Sequence, residues 1–195
     1  MNGCAKYNYY AHPTAVVESD VIGEGTKIWH FAHVRSGSRI GNNCNIGKSV
    51  YIDADAVIGN NVKIQNFVSV YKGVTIEDDV FIGPSATFTN DLYPRAFIWD
   101  SEHVVPTRVA RGASIGANST IVCGTTIGEY AMIGAGSVVA RDVPAFGLVY
   151  GNPAEFKGYV CYCGKKLEKI AEENAARTTF RCDSCGKEIE ILRRD

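Results

Sequence analysis

Residues 57–88, VIGNNVKIQNFVSVYKGVTIEDDVFIGPSATF, place an aliphatic or aromatic side chain at every sixth position: Ile58, Ile64, Val70, Ile76, Ile82 and Phe88. Followed backwards, the series reads Ile52, Ile46, Ile40, Val34, Ile28, Ile22 and Val16. Followed forwards, it stops after Phe88 and resumes at Val109, Ile115, Ile121, Ile127, Ile133 and Val139. Four residues after almost every one of these comes a small or β-branched side chain, from Thr26, Ala32, Ser38 and Cys44 through to Ser137 and Val143; Asp20 is the exception within the repeats, and the pattern lapses after Phe88, where the series breaks. Glycine recurs directly after the apolar residue, at positions 23, 41, 47, 59, 83, 116, 128 and 134.

A period of six suits neither an amphipathic helix nor a simple hairpin strand. It suits a short strand followed by a corner, where glycine supplies backbone angles that other residues resist. Three such units close a triangular coil. The large aliphatic and the small residue point inward, and the residue between them points out. The fold class is therefore all-β, a left-handed parallel β-helix. Nineteen hexapeptides predict about six coils and a prism roughly 30 Å tall at ~4.8 Å per level.

Length and composition agree. The chain has 195 residues, 20 Gly, 6 Pro, 7 Cys and a formal net charge of −1. That length suits one domain with a small appendage. Lys+Arg 20 against Asp+Glu 21 leaves no electrostatic footprint for a nucleic acid polymer or an anionic membrane. No run of 18 apolar residues suggests a transmembrane helix. The N-terminal MNGCAKYNYYAHP lacks the apolar core of a secretory signal, so a cytoplasmic location with reduced cysteines is expected.

The break between Phe88 and Val109 ejects some 15 extra residues at one corner, within an insertion over 89–108. Long loops in compact domains usually carry function. In a six-residue period, positions 18 apart stack one level apart. Tyr71 and Lys72 then lie below Thr89 and Asn90, with Asp53 and Arg35 further down. A second corner collects His30, Lys48 and Asn66, with Trp29 and Gln65 beside them. If the chain trimerises, the loop corner of one copy can face the Gln65/Asn66 corner of the next and form an intersubunit cleft.

Three segments carry a family resemblance: IWHFAHV (28–34), residues 64–95 with the loop motif FTNDLYPR, and residues 112–139. Together with VYGNPAEFKGYVC (149–161) they resemble the sugar N-acetyltransferases of the hexapeptide superfamily. The nearest group by these motifs acetylates the 3-amino group of UDP-2-acetamido-3-amino-2,3-dideoxyglucuronate for O-antigen and related glycans. A sister group acts on dTDP-3-amino-3,6-dideoxyhexoses. The resemblance implies acetyl-CoA as donor, a nucleotide-linked amino sugar as acceptor and a homotrimer with sites between subunits. It implies that Asn90 contacts the reacting amine. It also puts acetyl-CoA along the upper coils near Gly116, Ala117, Ala135, Arg141 and the turn at Asn152 and Pro153, with Arg141 or Lys157 on its phosphates.

The chemistry needs a neutral amine, donors for the oxyanion and a route for the leaving proton. Asn90 offers a carbonyl to the amine, and the departing thiolate can take the proton. The competing base is a histidine, and His103 lies in the loop. His33 points outward three levels below Thr87, about 14 Å away by strand spacing. His30 and His33 reach such a site only from a neighbouring subunit. Arg35, Lys72 and Arg95 are candidates for a pyrophosphate or sugar carboxylate. Gln65, Asn66, Tyr71 and Asp91 complete the substrate-binding candidates. A sugar O-acetyltransferase, a non-catalytic scaffold and a zinc hydratase remain as other readings. The last needs three histidines on adjacent coils.

The hexapeptide domain is expected over 1–154, with a tail over 155–195. The tail holds 17 charged residues and two cysteine pairs, Cys161/Cys163 and Cys182/Cys185. Their spacing resembles a zinc ribbon, although the first pair is C-x-C, and a four-cysteine set would hold structural zinc. The segment between, KKLEKIAEENAAR, reads as a short helix or exposed connector. Cys4, Cys44 and Cys123 have no partner pattern, and Cys44 falls at an inward position.

Overall fold

A computed structural model describes residues 8–98, 100, 103–174 and 177–192. Cys4 lies outside them. The chain winds as a left-handed parallel β-helix whose two- and three-residue strands stack into three sheets. The first face carries Tyr10–Ala11, Lys27–Ile28, Asn45–Ile46, Lys63–Ile64, Phe81–Ile82, Ser114–Ile115, Met132–Ile133 and Gly147–Gly151. The second runs from Val16–Val17 to Val138–Val139, and the third from Val21–Ile22 to Thr126–Ile127.

The stacking rule of eighteen holds through the lower prism, where Ile28, Ile46, Ile64 and Ile82 are successive neighbours. Across the loop, Ile82 pairs with Ile115. The offset there is 33 rather than 18, so the excursion returns in register. Thr107 and Arg108, counted with the insertion in the sequence, already pair with Val74 and Thr75. The first face has eight parallel levels rather than six coils, because Tyr10–Ala11 and Gly147–Gly151 also join it. The strand stack is therefore about 34 Å tall. At the top, Ala154–Tyr159 pairs antiparallel with Gly147–Gly151 and covers the exposed edge.

Two details of the repeat differ from its sequence reading. The first coil is one residue short. Val17, not Val16, pairs with Val34, and Val16 is 54% exposed. Ser19 then fills the small inward site and donates its hydroxyl to the Ser38 carbonyl at 2.7 Å, while Asp20 stays exposed. The polar exception in the pattern is thus a register slip, as burying a lone carboxylate would be costly.

The second difference concerns glycine. Left-handed backbone recurs every sixth residue, but three positions after the aliphatic: Gly25, Phe31, Gly37, Asn43, Ser49, Asp55, Asn61, Phe67, Gly73, Asp79 and Ser85, then Gly112, Asn118, Gly124, Tyr130 and Gly136. Most of these are not glycine. The glycine directly after the aliphatic does not take positive φ and is there for space. A Cβ on Gly41 would lie 2.5 Å from the Gly59 carbonyl oxygen of the next level.

The core is one column of fully buried side chains, with Ile28, Ile46, Ile52, Ile64, Ile82, Ile115 and Ile121 at 0% exposure. Cys44 and Cys123 are buried, and Cys44 points its thiol to the Gly59 carbonyl. The tail forms a separate antiparallel sheet of Glu168–Asn174, Arg177–Arg181 and Glu188–Leu192. The segment KKLEKIAEENAAR is therefore largely strand, not helix. A helix that short is marginal on its own, and the cross-strand ladder offers its backbone better partners. Among the described residues, no helix is long and apolar enough to cross a membrane.

Candidate functional site

The three corners differ in chemistry. The corner after the first face is a vertical seam. Its lower half carries Trp29, His30, Lys48, Gln65 and Asn66, and its upper half Gly83, Pro84, Gly116, Ala117, Gly134 and Ala135. This follows from the pairing of Ile28, Ile46, Ile64, Ile82, Ile115 and Ile133 on the adjoining strands. Corner hydrogen bonds tie the levels together, with Ser49, Phe67, Ser85, Asn118 and Gly136 N–H groups donating to His30, Lys48, Asn66, Pro84 and Ala117 carbonyls.

Trp29, His30, Asn45, Gly47, Lys48, Gln65 and Asn66 line a shallow groove in the lower seam. Trp29 donates its indole N–H to Asn45 Oδ1 at 2.8 Å, and Asn66 Oδ1 accepts the Lys48 N–H at 2.8 Å. His30 stacks on His12 with ring centroids 3.5 Å apart. The Lys48 ammonium sits between the exposed rings of Phe31 and Phe67, at 6.0 and 5.8 Å. Above, the Ala117 and Ala135 N–H groups have no hydrogen-bond partner among the described residues. The small side chains there leave backbone within reach of a ligand.

The corner after the second face is the loop corner. Lys72, Asn90, Cys123 and Arg141 stack in one column, and Arg35, Asp53, Tyr71 and Thr89 in the column beside it. Asn90 fixes the base of the loop by accepting the Val105 N–H on its carbonyl at 2.9 Å. Thr89 Oγ1 accepts the Cys123 N–H at 2.9 Å. The Asn90 side chain has no partner among the described residues. His103 lies two residues before Val105, partly buried, with its N–H on the Asp100 carbonyl at 3.1 Å. Asp91 caps the next turn by accepting the Tyr93 N–H at 2.7 Å. The loop is apolar at its tip, with Tyr93 83% and Phe97 84% exposed.

Two of the three candidate cations here already hold carboxylates. Arg35 binds Asp53 at 2.9 Å, and Lys72 binds Asp55 at 3.0 Å. Asp53 also accepts the Tyr51 hydroxyl and the Ala54 and Lys72 N–H groups. Burial alone would raise its carboxyl, but the Ala54 N–H, the Tyr51 hydroxyl, the Lys72 N–H and Arg35 outweigh it and hold Asp53 below the usual carboxylate range. The Arg95 guanidinium bonds the Pro94 carbonyl at 3.2 Å and has no carboxylate partner among the described residues. Tyr51 escaped the sequence reading, although the stacking rule puts it directly between His33 and Ser69. An aromatic ladder of His33, Tyr51 and Tyr71 climbs towards the loop, with centroids 5.7 and 5.6 Å apart.

His33 bonds Glu18 at 3.3 Å, three levels below Thr87. The residues assigned to acetyl-CoA divide between two corners. Arg141 stands on the loop corner, two levels above Asn90, whereas Gly151 continues the seam above Ala135. Asn152 and Pro153 form the turn beyond Gly151, joined by a cis peptide. Lys157 holds Glu155 at 2.8 Å and lies over the Tyr150 ring. The four tail cysteines converge, with all Sγ atoms within 4.8 Å of one another.

A hexapeptide prism with one polar loop at a corner and a small-residue seam at the next has the build of a solenoid transferase. The bacterial transferase hexapeptide pattern of six repeats matches residues 21–54, 55–90 and 106–141. The chain belongs to that family. It is 49% identical over 178 residues to the dTDP-3-amino-3,6-dideoxy-alpha-D-galactopyranose 3-N-acetyltransferase of Aneurinibacillus thermoaerophilus, covering 91% of this chain and 88% of that one. It is 30% identical over 166 residues to the bifunctional protein GlmU of Heliobacterium modesticaldum, covering 69% of this chain but only 34% of the relative. Among solved structures it resembles a point mutant of the GDP-perosamine N-acetyltransferase of Caulobacter crescentus, in complex with CoA and GDP-perosamine. There the TM-score is 0.52 at 28% identity, covering 77% of this chain and 56% of that one.

Proposed function

We propose that this chain transfers the acetyl group of acetyl-CoA to the 3-amino group of a nucleotide-linked amino sugar, with a dTDP-3-amino-3,6-dideoxyhexose as the preferred acceptor. The observation that carries the reading is near-full-length similarity to a dTDP-sugar 3-N-acetyltransferase. Sequence motifs alone favour a UDP-linked uronic acid. That acceptor needs a cation for its carboxylate, and Arg35 and Lys72 are already paired with acidic residues. Of the three candidate cations, Arg95 is the one left for a uronate, which keeps that acceptor as the second reading.

The site is shared between copies of the chain. The loop corner presents Asn90, Tyr71 and Arg141. The seam of a second copy presents Gln65 and Asn66 to the nucleotide, and Ala117 and Ala135 N–H groups to acyl-CoA. A homotrimer places each loop corner against a neighbour's seam. His30 then approaches the loop from the neighbour.

In the reaction, the Asn90 side-chain carbonyl accepts an N–H of the neutral sugar amine and aims its lone pair at the thioester carbon. The C–N bond forms and the C–S bond breaks. The proton lost by nitrogen goes to the departing CoA sulfur. Positioning supplies much of the rate. His103, two residues before the Val105 whose N–H bonds the Asn90 carbonyl, is the alternative proton acceptor. A hydroxyl acceptor would require such a base, whereas an amine does not.

Thiol release from acetyl-CoA, followed with a panel of nucleotide amino sugars, tests the reading. Turnover is expected with dTDP-linked 3-amino-3,6-dideoxyhexoses and at least tenfold less with the UDP-linked 3-amino uronate. A reversed preference would move the assignment to the uronate. No turnover with any amino sugar would overturn it. The shared site is tested by mixing inactive Asn90→Ala chains with inactive Gln65→Ala/Asn66→Ala chains after dissociation. Recovered activity in the mixture is expected, and its absence would place the whole site within one chain.

A further inference from the structure

We propose that Cys161, Cys163, Cys182 and Cys185 bind one zinc ion as a closed structural site, and that this ion locks the tail onto the last turn of the prism through Tyr162. Neither step belongs to the transfer reaction.

The sulfur geometry argues first. Cys161 and Cys185 Sγ atoms are 3.5 Å apart, Cys163 and Cys182 Sγ atoms 3.6 Å, and all lie within 4.8 Å. Four thiolates around zinc at ~2.3 Å form a tetrahedron with edges of about 3.8 Å. A disulfide needs about 2.05 Å, which neither close pair approaches. The two closest contacts each join one cysteine turn to the other, so both turns contribute to a single cluster.

The backbone argues second. Gly164 donates its N–H to the Cys161 carbonyl at 2.8 Å, and Gly186 does the same to Cys182 at 2.8 Å. Cys161 N–H bonds the Lys165 carbonyl at 2.8 Å, and Cys182 N–H bonds that of Lys187 at 2.9 Å. Both glycines take positive φ, +80° and +70°. The two turns thus share one plan, and the first is one residue shorter. This accommodates the C-x-C spacing. Each turn ends in Cys-Gly-Lys, so the paired lysines offset the negative charge of a zinc tetrathiolate.

The thin core argues third. Its buried residues are Leu167, Ile189 and Ile191 together with Cys161 and Cys182. So small a sheet needs a further tie, and a metal is a common one. Four cysteine ligands leave no open position, so the role is structural. Tyr162, between the first two ligands, packs its ring on Tyr130 at 4.6 Å and Phe146 at 5.0 Å, both from the prism. Val160 N–H bonds the Phe146 carbonyl at 2.8 Å beside it. Fixing Cys161 and Cys163 therefore fixes Tyr162.

The full chain purified without chelator should carry about one zinc per chain by mass spectrometry. Cys163→Ser and Cys185→Ser, both at exposed ligands, should reduce this at least fivefold. Cobalt added to the reduced, metal-stripped full chain should give thiolate charge-transfer and tetrahedral d–d bands, a readout independent of whether the variants fold. Chelation should open residues 160–192 to protease while the prism resists. Negligible zinc together with absent cobalt bands would overturn the site. Metal binding without chelator-dependent protease sensitivity would overturn the locking role.

Discussion

Asn90→Ala is expected to lower kcat about 10²-fold while leaving the dissociation constant of CoA within about twofold. A lost positioning contact near the reacting atoms commonly costs that much. Asn90 stands at the foot of the loop, and its side chain has no partner among the described residues. Its backbone carbonyl, which holds Val105, is retained in the variant, so the loop base stays closed. In the proposed site CoA rests on the seam and on Arg141, neither of which the substitution touches. Steady-state kinetics with calorimetry of CoA binding separates the two effects. An unchanged kcat would remove Asn90 from the reaction. The companion variant His103→Asn should change kcat less than tenfold if the CoA sulfur takes the proton, and a far larger loss would assign the proton to His103.

Gly41→Ala is expected to destabilise the prism by about 3 kcal/mol, whereas Gly136→Ala costs about 1–2 kcal/mol. The substitutions are chemically identical and separate two roles of glycine. At Gly41 the new Cβ would meet Gly59 backbone at 2.5 and 2.6 Å, and a stacked level cannot withdraw without breaking its ladder. Gly136 takes φ +70° with nothing within 4 Å, so only torsional strain is introduced. Equivalent positions carry Ser49, Ser85 and Asn118 without difficulty. For a chain of this size the larger cost lowers the melting temperature by about 10 °C. Thermal melts monitored by circular dichroism check the contrast. Equal losses would mean that the recurrent glycines serve backbone angle after all.

Much of the architecture is legible because its code is one-dimensional. A six-residue step around three faces turns residue number into a coordinate, so Lys72 below Asn90 and Gln65 beside Asn66 follow from their numbers alone. The departures share one cause. Val16 against Val17 is undecidable from hydropathy, since either fills the core, and only strand pairing shows which does. The tail departs from a helical reading because local composition suits a helix, while three antiparallel strands, with one cysteine turn before the first and the other between the last two, satisfy the same backbone more fully.

By itself the sequence determined the prism and the corner from which the loop leaves, because inward and outward positions repeat with a fixed step. Tertiary structure alone decided three further matters. It showed that Arg35 and Lys72 are held by Asp53 and Asp55, since side-chain ion pairs across levels depend on reach and not on spacing. It put Val17 rather than Val16 in the core, since either valine suits the site and only strand pairing settles which. It brought four sulfurs within 4.8 Å although the two pairs lie about twenty residues apart in sequence, since that distance is set by how an antiparallel sheet folds back on itself.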